Sequence, residues 1–249
     1  MKAALRWIAL ALLAGAALEA FFIARIALAA TMDPESTTFQ RSEAYRIYAQ
    51  KGTLPWRHEW VPYERISDNL KRAVIASEDD SFASHDGVDW EAMEKAWQKN
   101  QQAEERAARQ EARKRASSPA PAHVRPPKIV GGSTITQQLA KNLLLSGERT
   151  LLRKGQEIVL TFALEKMLSK QRILEIYLND VEWGEGVFGA EAAARHYYRK
   201  PASQLTAYEA ARLAVMLPRP KYFEKLPDSG YLASRAQVIA GRMRGAELP

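Results

Sequence analysis

The sequence predicts an all-α protein behind a single apolar N-terminal span. Three observations carry that expectation. Helix-forming residues recur with apolar positions three and four apart in several stretches. Two capping boxes, Thr134 with Gln137 and Thr206 with Glu209, open helices in the second half of the chain. No segment reads convincingly as a strand, and no internal repeat is visible.

Composition narrows the classes. The chain has 249 residues, 47% hydrophobic and 26% charged, enough for one sizeable core or two small ones. There is no cysteine, which excludes disulfides and thiolate metal sites. The four histidines are scattered, without zinc-ligand spacing. The net charge of +7 favours a partner with phosphates: nucleic acid, anionic lipid or a pyrophosphate. Residues 101–128 hold seven Lys/Arg against three Glu, so +4 of the +7 is local. That concentration argues against a broad nucleic-acid surface.

Trp7 to Ile23 is a 17-residue run, apolar except for Glu19. About 20 residues cross the hydrocarbon layer; Arg25 can snorkel and extend the span towards Ala30. Glu19 is costly in lipid and calls for water or a partner. Lys2 and Arg6 before the run, with Asp33 and Glu35 after it, favour a cytoplasmic N-terminus. The other reading is a removable signal peptide cut near Ala27-Leu28-Ala29. The expected division is a cytoplasmic tip and anchor over 1–30, a juxtamembrane connector over 31–65, and a helical domain over 66–249 with a charged, Pro-rich insertion at about 98–128.

Further along, residues 66–77 predict a helix capped by Ser67 or Asp68. Asp89 to about Ala116 is rich in helix formers but loses its apolar face from Gln101. The stretch 117–127, SSPAPAHVRPP, is a linker. Thr134 starts a helix to about Leu145. Residues 155–169 predict a helix burying Ile158, Val159, Phe162, Ala163, Leu164 and Met167. Residues 171–178 form another, 183–189 a Gly-rich loop, and Thr206 opens a helix through Leu217 that Pro218 and Pro220 stop.

Four stretches carry candidate chemistry: EDDSFASHDG, GGSTITQQLAKN, RKGQE and ILEIYLN. Singly, each has a structural explanation. Glu78, Asp79 and Asp80 make a solvated helix tip, and Arg153 with Glu157 makes a helix-supporting i,i+4 pair. Jointly they resemble the family 51 glycosyltransferases, the peptidoglycan polymerases. The first family motif is Glu-Asp, two residues, Phe, two residues, His, one residue, Gly, here Glu78, Asp79, Phe82, His85 and Gly87. The second is Gly131 to Gln138 followed by Lys141-Asn142; the third is Arg153, Lys154 and Glu157; the fourth is Ile173 to Asn179. The resemblance spans about Ala73 to Pro220. It is nearest to the short, monofunctional transglycosylases, with one membrane anchor and no transpeptidase domain. No lysine here has a serine three residues before it, so the penicillin-binding signature is absent from this sequence. The segment between the first two motifs is longer than usual for the family, and its basic run either touches anionic headgroups or is a solvated insertion.

The resemblance implies a lysozyme-like helical glycosyltransferase domain and a reaction that polymerises lipid II into β-1,4 glycan with inversion, releasing undecaprenyl pyrophosphate. Glu78 is then the catalytic base on the acceptor hydroxyl, with Asp79 beside it holding its ionisation and geometry. Lys141, Arg149 and Arg153 meet the pyrophosphate. Glu157, the second catalytic carboxylate, orients those cations, holds a divalent ion, or serves both ends. Gln137 and Gln138 bond sugar and phosphate oxygens, and Ser133 and Thr134 serve the helix start near phosphate. Phe82 and Tyr177 are expected to pack. No cofactor is required, with magnesium or manganese as an optional companion. The implied partners are lipid II, the growing glycan strand, membrane lipids and other wall-synthesis or division proteins, without nucleic acid. The implied location is the bacterial inner membrane, single-pass, with the catalytic domain periplasmic. Two rivals remain at this stage: a lytic glycosidase using two carboxylates, and a membrane-anchored scaffold acting through residues 101–128.

Overall fold

The computed structural model describes residues 2–117, 131–148 and 150–249. Arg149 and the Pro-rich linker, both singled out above, lie outside the described residues. The helices are α1 (Lys2–Ala29), α2 (Thr38–Lys51), α3 (Asp68–Glu78), α4 (Trp90–Ser117), α5 (Ile135–Leu144), α6 (Leu151–Met167), α7 (Lys170–Asp180), α8 (Ala190–Tyr198), α9 (Ala207–Met216), α10 (Pro220–Glu224) and α11 (Gly230–Arg242). Three short strands, β1 (Arg57–His58), β2 (Glu182–Gly184) and β3 (Val187–Phe188), and three 3-10 turns, Tyr63–Arg65, Ala202–Gln204 and Met243–Gly245, complete the described elements. The fold is all-α, as the periodicity requires.

α1 has a mean hydropathy of 2.1 over its most apolar 18 residues, and only 6% of that window is buried, so it is not a core helix. Its C-terminal part meets the body, burying Phe22, Ile26 and Ala29, and α6 is a neighbour there. Two packing centres make up the body. α3 lies against α9 and α11, while α5 lies against α2, α6 and α7. Buried Leu70, Val74, Ile135, Leu139, Leu174 and Leu213 belong to one continuous core.

Local chemistry explains the helix starts. Ser67 accepts from the Asn69 N–H, Thr134 and Gln137 form the expected capping box, and Thr206 and Glu209 form the second. Thr150 caps α6, which therefore begins four residues before the sequence expectation.

Three expectations are corrected. The stretch read as a connector contains α2, whose Gln40 and Ile47 are buried and which packs on α5. Its apolar residues are too sparse for periodicity to show it; its capping box, Thr37 with Gln40, was the available signal. The 183–189 loop holds β2 and β3, with β3 central between antiparallel β2 and parallel β1. Strands of two or three residues leave no period to read. A Cβ on Gly186 (φ +75°) would lie 2.1 Å from the Pro55 carbonyl oxygen, so glycine lets β3 close onto that segment. Last, the apolar face of α6 is divided. Leu160 and Leu164 enter the core, while Val159, Phe162 and Met167 are exposed, beside exposed Leu151 and Leu152.

Candidate active site

The site begins where α3 stops. Asp79 caps the C-terminus of α3 in an extended conformation and turns the chain into the 79–89 loop. Its carboxylate is buried. Oδ1 accepts from His85 Nε2 at 2.8 Å, and Oδ2 accepts from the Ile135 N–H at the start of α5 at 2.9 Å. His85 Nδ1 accepts from the Gly87 N–H at 3.0 Å, so its proton sits on Nε2, facing Asp79. Gly87 has φ +87°, and a Cβ there would strike Thr161 and Glu165. Its carbonyl accepts from Thr134 Oγ1 at 2.6 Å. Motifs one and two are thus one hydrogen-bonded unit, and Asp79 is the strut between them.

Glu78, at the end of α3, is half-buried in the wall of a cavity of about 160 Å³ shared with Ser77, Ser133 and Asp89. Gln138 Nε2 donates to its Oε2 at 3.0 Å, and Tyr177 Oη donates to Gln138 Oε1 at 3.1 Å. Tyr177 fixes which end of the amide faces Glu78. Burial raises the proton affinity of Glu78; the Gln138 hydrogen bond opposes the shift, the Asp79 charge adds to it, and Lys141 draws it back. A carboxyl so tuned accepts a proton more readily than an exposed glutamate.

A second cavity, of about 360 Å³, is lined in part by Gln138, whose amide reaches Glu78 of the first. Gln138, Lys141, Asn142 and Arg153 line it, with Phe39 and Ser42 from α2 opposite. Lys141 and Arg153, on separate helices, are thereby brought to one groove. Glu157 stands apart from both cavities. It is 3% exposed; Arg153 Nη1 meets its Oε2 at 2.9 Å, and Lys154 Nζ meets its Oε1. Expected as a catalytic carboxylate, it pairs with Arg153, whose side chain lines the groove. Each of its oxygens meets one cation. Among the described residues no group of three His, Asp or Glu is arranged to hold a metal.

The remaining candidates divide. Ser133 is exposed on the smaller cavity. Thr134 is buried as the helix cap. Gln137, expected to meet substrate, is 1% exposed, and its amide oxygen closes the capping box on the Thr134 N–H. Phe82 is fully buried. Tyr177 is buried too, yet its hydroxyl reaches the site. Sequence reasoning missed Phe39 and Ser42, which lie in a stretch without a motif. It also missed Glu182, a buried carboxyl in the larger cavity that burial raises to about 7.

A half-buried carboxyl near a groove lined by Lys141 and Arg153 suits an enzyme that handles a hydroxyl and an anionic group. Comparison with known proteins narrows this class. A profile of the transglycosylase family matches residues 47–110 and 120–244. The biosynthetic peptidoglycan transglycosylase of Burkholderia thailandensis is 52% identical over 248 residues, 98% of this chain and 88% of that protein. The protein of the same name from Burkholderia lata is 51% identical over 98% of this chain and 92% of its own length. A third, from Herminiimonas arsenicoxydans, is 49% identical over 93% of this chain and 91% of its own length. The chain belongs to the transglycosylase family, and it is a glycosyl-transferring enzyme.

Proposed function

We propose that this protein polymerises lipid II into glycan strands at the membrane surface, with Glu78 as the base. It is a peptidoglycan glycosyltransferase. The observation that carries the reading is the path from Tyr177 through Gln138 to Glu78, which joins the base to the groove of Lys141 and Arg153. The acceptor sugar hydroxyl lies against Glu78 and loses its proton as it attacks the donor anomeric carbon. The bond to the lipid pyrophosphate breaks on the opposite face, which inverts the centre without a covalent intermediate. Lys141 and Arg153 stabilise the two departing phosphates, most strongly in the transition state, and Arg149 adds to them. Glu157 keeps Arg153 in place.

The membrane reading has its own support. Glu19, the costly acid of α1, accepts from Gln156 of α6 at 3.1 Å, which relieves it. Arg172 of α7 donates to the carbonyls of Ala29 and Met32, each at 2.9 Å, and pairs with Asp33. The anchor is therefore docked on the body. The exposed apolar residues of α6 next to it, Leu152, Val159 and Phe162, face the lipid that surrounds α1. In this reading the N-terminus is cytoplasmic and the catalytic body lies on the outer face of the inner membrane, where lipid II presents its sugars.

The test is purified full-length protein incubated with labelled lipid II and resolved on a gel. The wild type is expected to give a ladder of glycan strands, and Glu78→Gln none. A ladder from Glu78→Gln would remove Glu78 as the base; no ladder from either, with lipid II still bound, would overturn the polymerase reading.

A further inference from the structure

A third cavity, of about 420 Å³, lies where α1 leaves the apolar span. It is distinct from the catalytic groove: Leu143, near the end of α5, lines it, whereas Lys141, Asn142 and Leu145 line the groove. Two guanidinium groups share it, Arg25 from α1 and Arg41 from α2. Arg41 is held by neutral groups only, donating to the Ser36 carbonyl (3.0 Å) and hydroxyl (3.1 Å) and to Thr38 Oγ1 (3.1 Å). No carboxylate pairs with Arg25 or Arg41 among the described residues.

The nearby acids do not compensate. Asp33 is taken by Arg172 at 2.9 Å. Asp180, buried beneath, is raised to about 8 by burial against the opposing pull of Gln40, Arg172 and Arg25, and so is mostly neutral at pH 7. His58 nearby is pushed down by burial and stays neutral. That leaves Glu35, exposed at the rim, against two cations. The rest of the wall is apolar, with Leu28, Met32 and Leu143. Two guanidinium groups that no carboxylate pairs among the described residues, beside Leu28, Met32 and Leu143, suit an anion with a hydrocarbon body.

The position selects the anion. Arg25 lies one turn before the end of α1, where arginine side chains reach the headgroup layer. We propose that this cavity is a binding site for an anionic phospholipid of the bilayer, its phosphate between Arg25 and Arg41 and its first acyl carbons against Leu28, Met32 and Leu143. The inference rests on the membrane reading of α1. A guanidinium pair matches a phosphodiester by bidentate donation. A lipid held there braces the junction between anchor and body beside Arg172.

The probe is phosphatidylglycerol, with phosphatidylcholine as the neutral comparison. The full-length protein in detergent is titrated with each and read by native mass spectrometry as retained lipid. Wild type is expected to keep phosphatidylglycerol in preference. Arg25→Gln and Arg41→Gln should each lower its retention about fivefold, the worth of one basic residue near a charged lipid surface. Glu35→Gln should raise it. Equal retention of both lipids by the wild type overturns the site without need of any variant. So does unchanged retention in both arginine variants, or displacement of phosphatidylglycerol by a tenfold lower concentration of undecaprenyl phosphate, which would assign the cavity to the polyprenyl substrate. Flotation with phosphatidylcholine vesicles reports the anchor separately. Protein that floats without lipid preference loses only the site; protein that does not float loses the membrane reading and the site with it.

Discussion

Glu78 and Glu157 sit on neighbouring parts of one active-site region with opposite surroundings. Glu78 receives a single neutral amide from Gln138, and burial raises its proton affinity. Glu157 receives two cations from its own helix, Arg153 and Lys154, and is turned away from both cavities. The motifs alone present both as catalytic acids. Their surroundings differ: burial makes Glu78 the better proton acceptor, which supports the proposal that it is the base, while Glu157 is paired with two cations.

The comparison can be broken most directly at Glu78. Glu78→Gln is expected to lower glycan polymerisation by about 10²–10⁴-fold, the range for losing a general base, with lipid II binding retained. The same substitution should stabilise the fold at alkaline pH. A carboxyl whose folded pKa is raised favours the fold below its ordinary value, and that contribution is lost as pH rises through the folded value; glutamine escapes the loss. Denaturant unfolding of both proteins at acidic and alkaline pH measures it.

Glu157→Gln comes next. It leaves Arg153 and the more exposed Lys154 without their buried carboxylate, so the fold should weaken by about 1 kcal/mol, read as a lowered Tm. If Glu157 acts through Arg153, whose charge counts most in the transition state, kcat should fall more than KM rises while the acidic limb of the pH profile stays in place; a lost limb would return Glu157 to proton transfer.

Gln138→Ala sharpens the comparison. It removes the hydrogen bond that favours ionised Glu78, so the acidic limb of kcat/KM against pH should move up, with activity lost earlier as pH falls. Tyr177→Phe should do the same to a smaller degree. It costs one hydrogen bond of about 1 kcal/mol and leaves the amide free to turn. If Tyr177→Phe has the larger effect, the hydroxyl meets the substrate itself.

Much of the site was legible because its residues are constrained locally. Thr134 and Gln137 announce a helix start three residues apart, and Arg153 and Glu157 fall on one helical face. The same local rule misled at Gln137, where a motif residue read as a substrate contact proves to be the buried half of the capping box. It misled again on α6. An apolar stripe reads as core, but Val159 and Phe162 lie outside it, on the helix that α1 packs against. Periodicity reports which face avoids water and cannot distinguish a protein core from lipid.

By itself the sequence determined the helical class, the apolar span, the helix caps and the four motifs with their order, because each depends on residues within a few positions of one another. Only the tertiary structure decided which carboxylate faces a cavity, that α2 supplies a wall of the groove, that Asp79 joins the first motif to the second, and that Gln156 answers Glu19 across 137 residues. Those outcomes turn on burial and on distances between remote segments. Burial sets the proton affinity of Glu78, and packing fixes which partner each charged group meets.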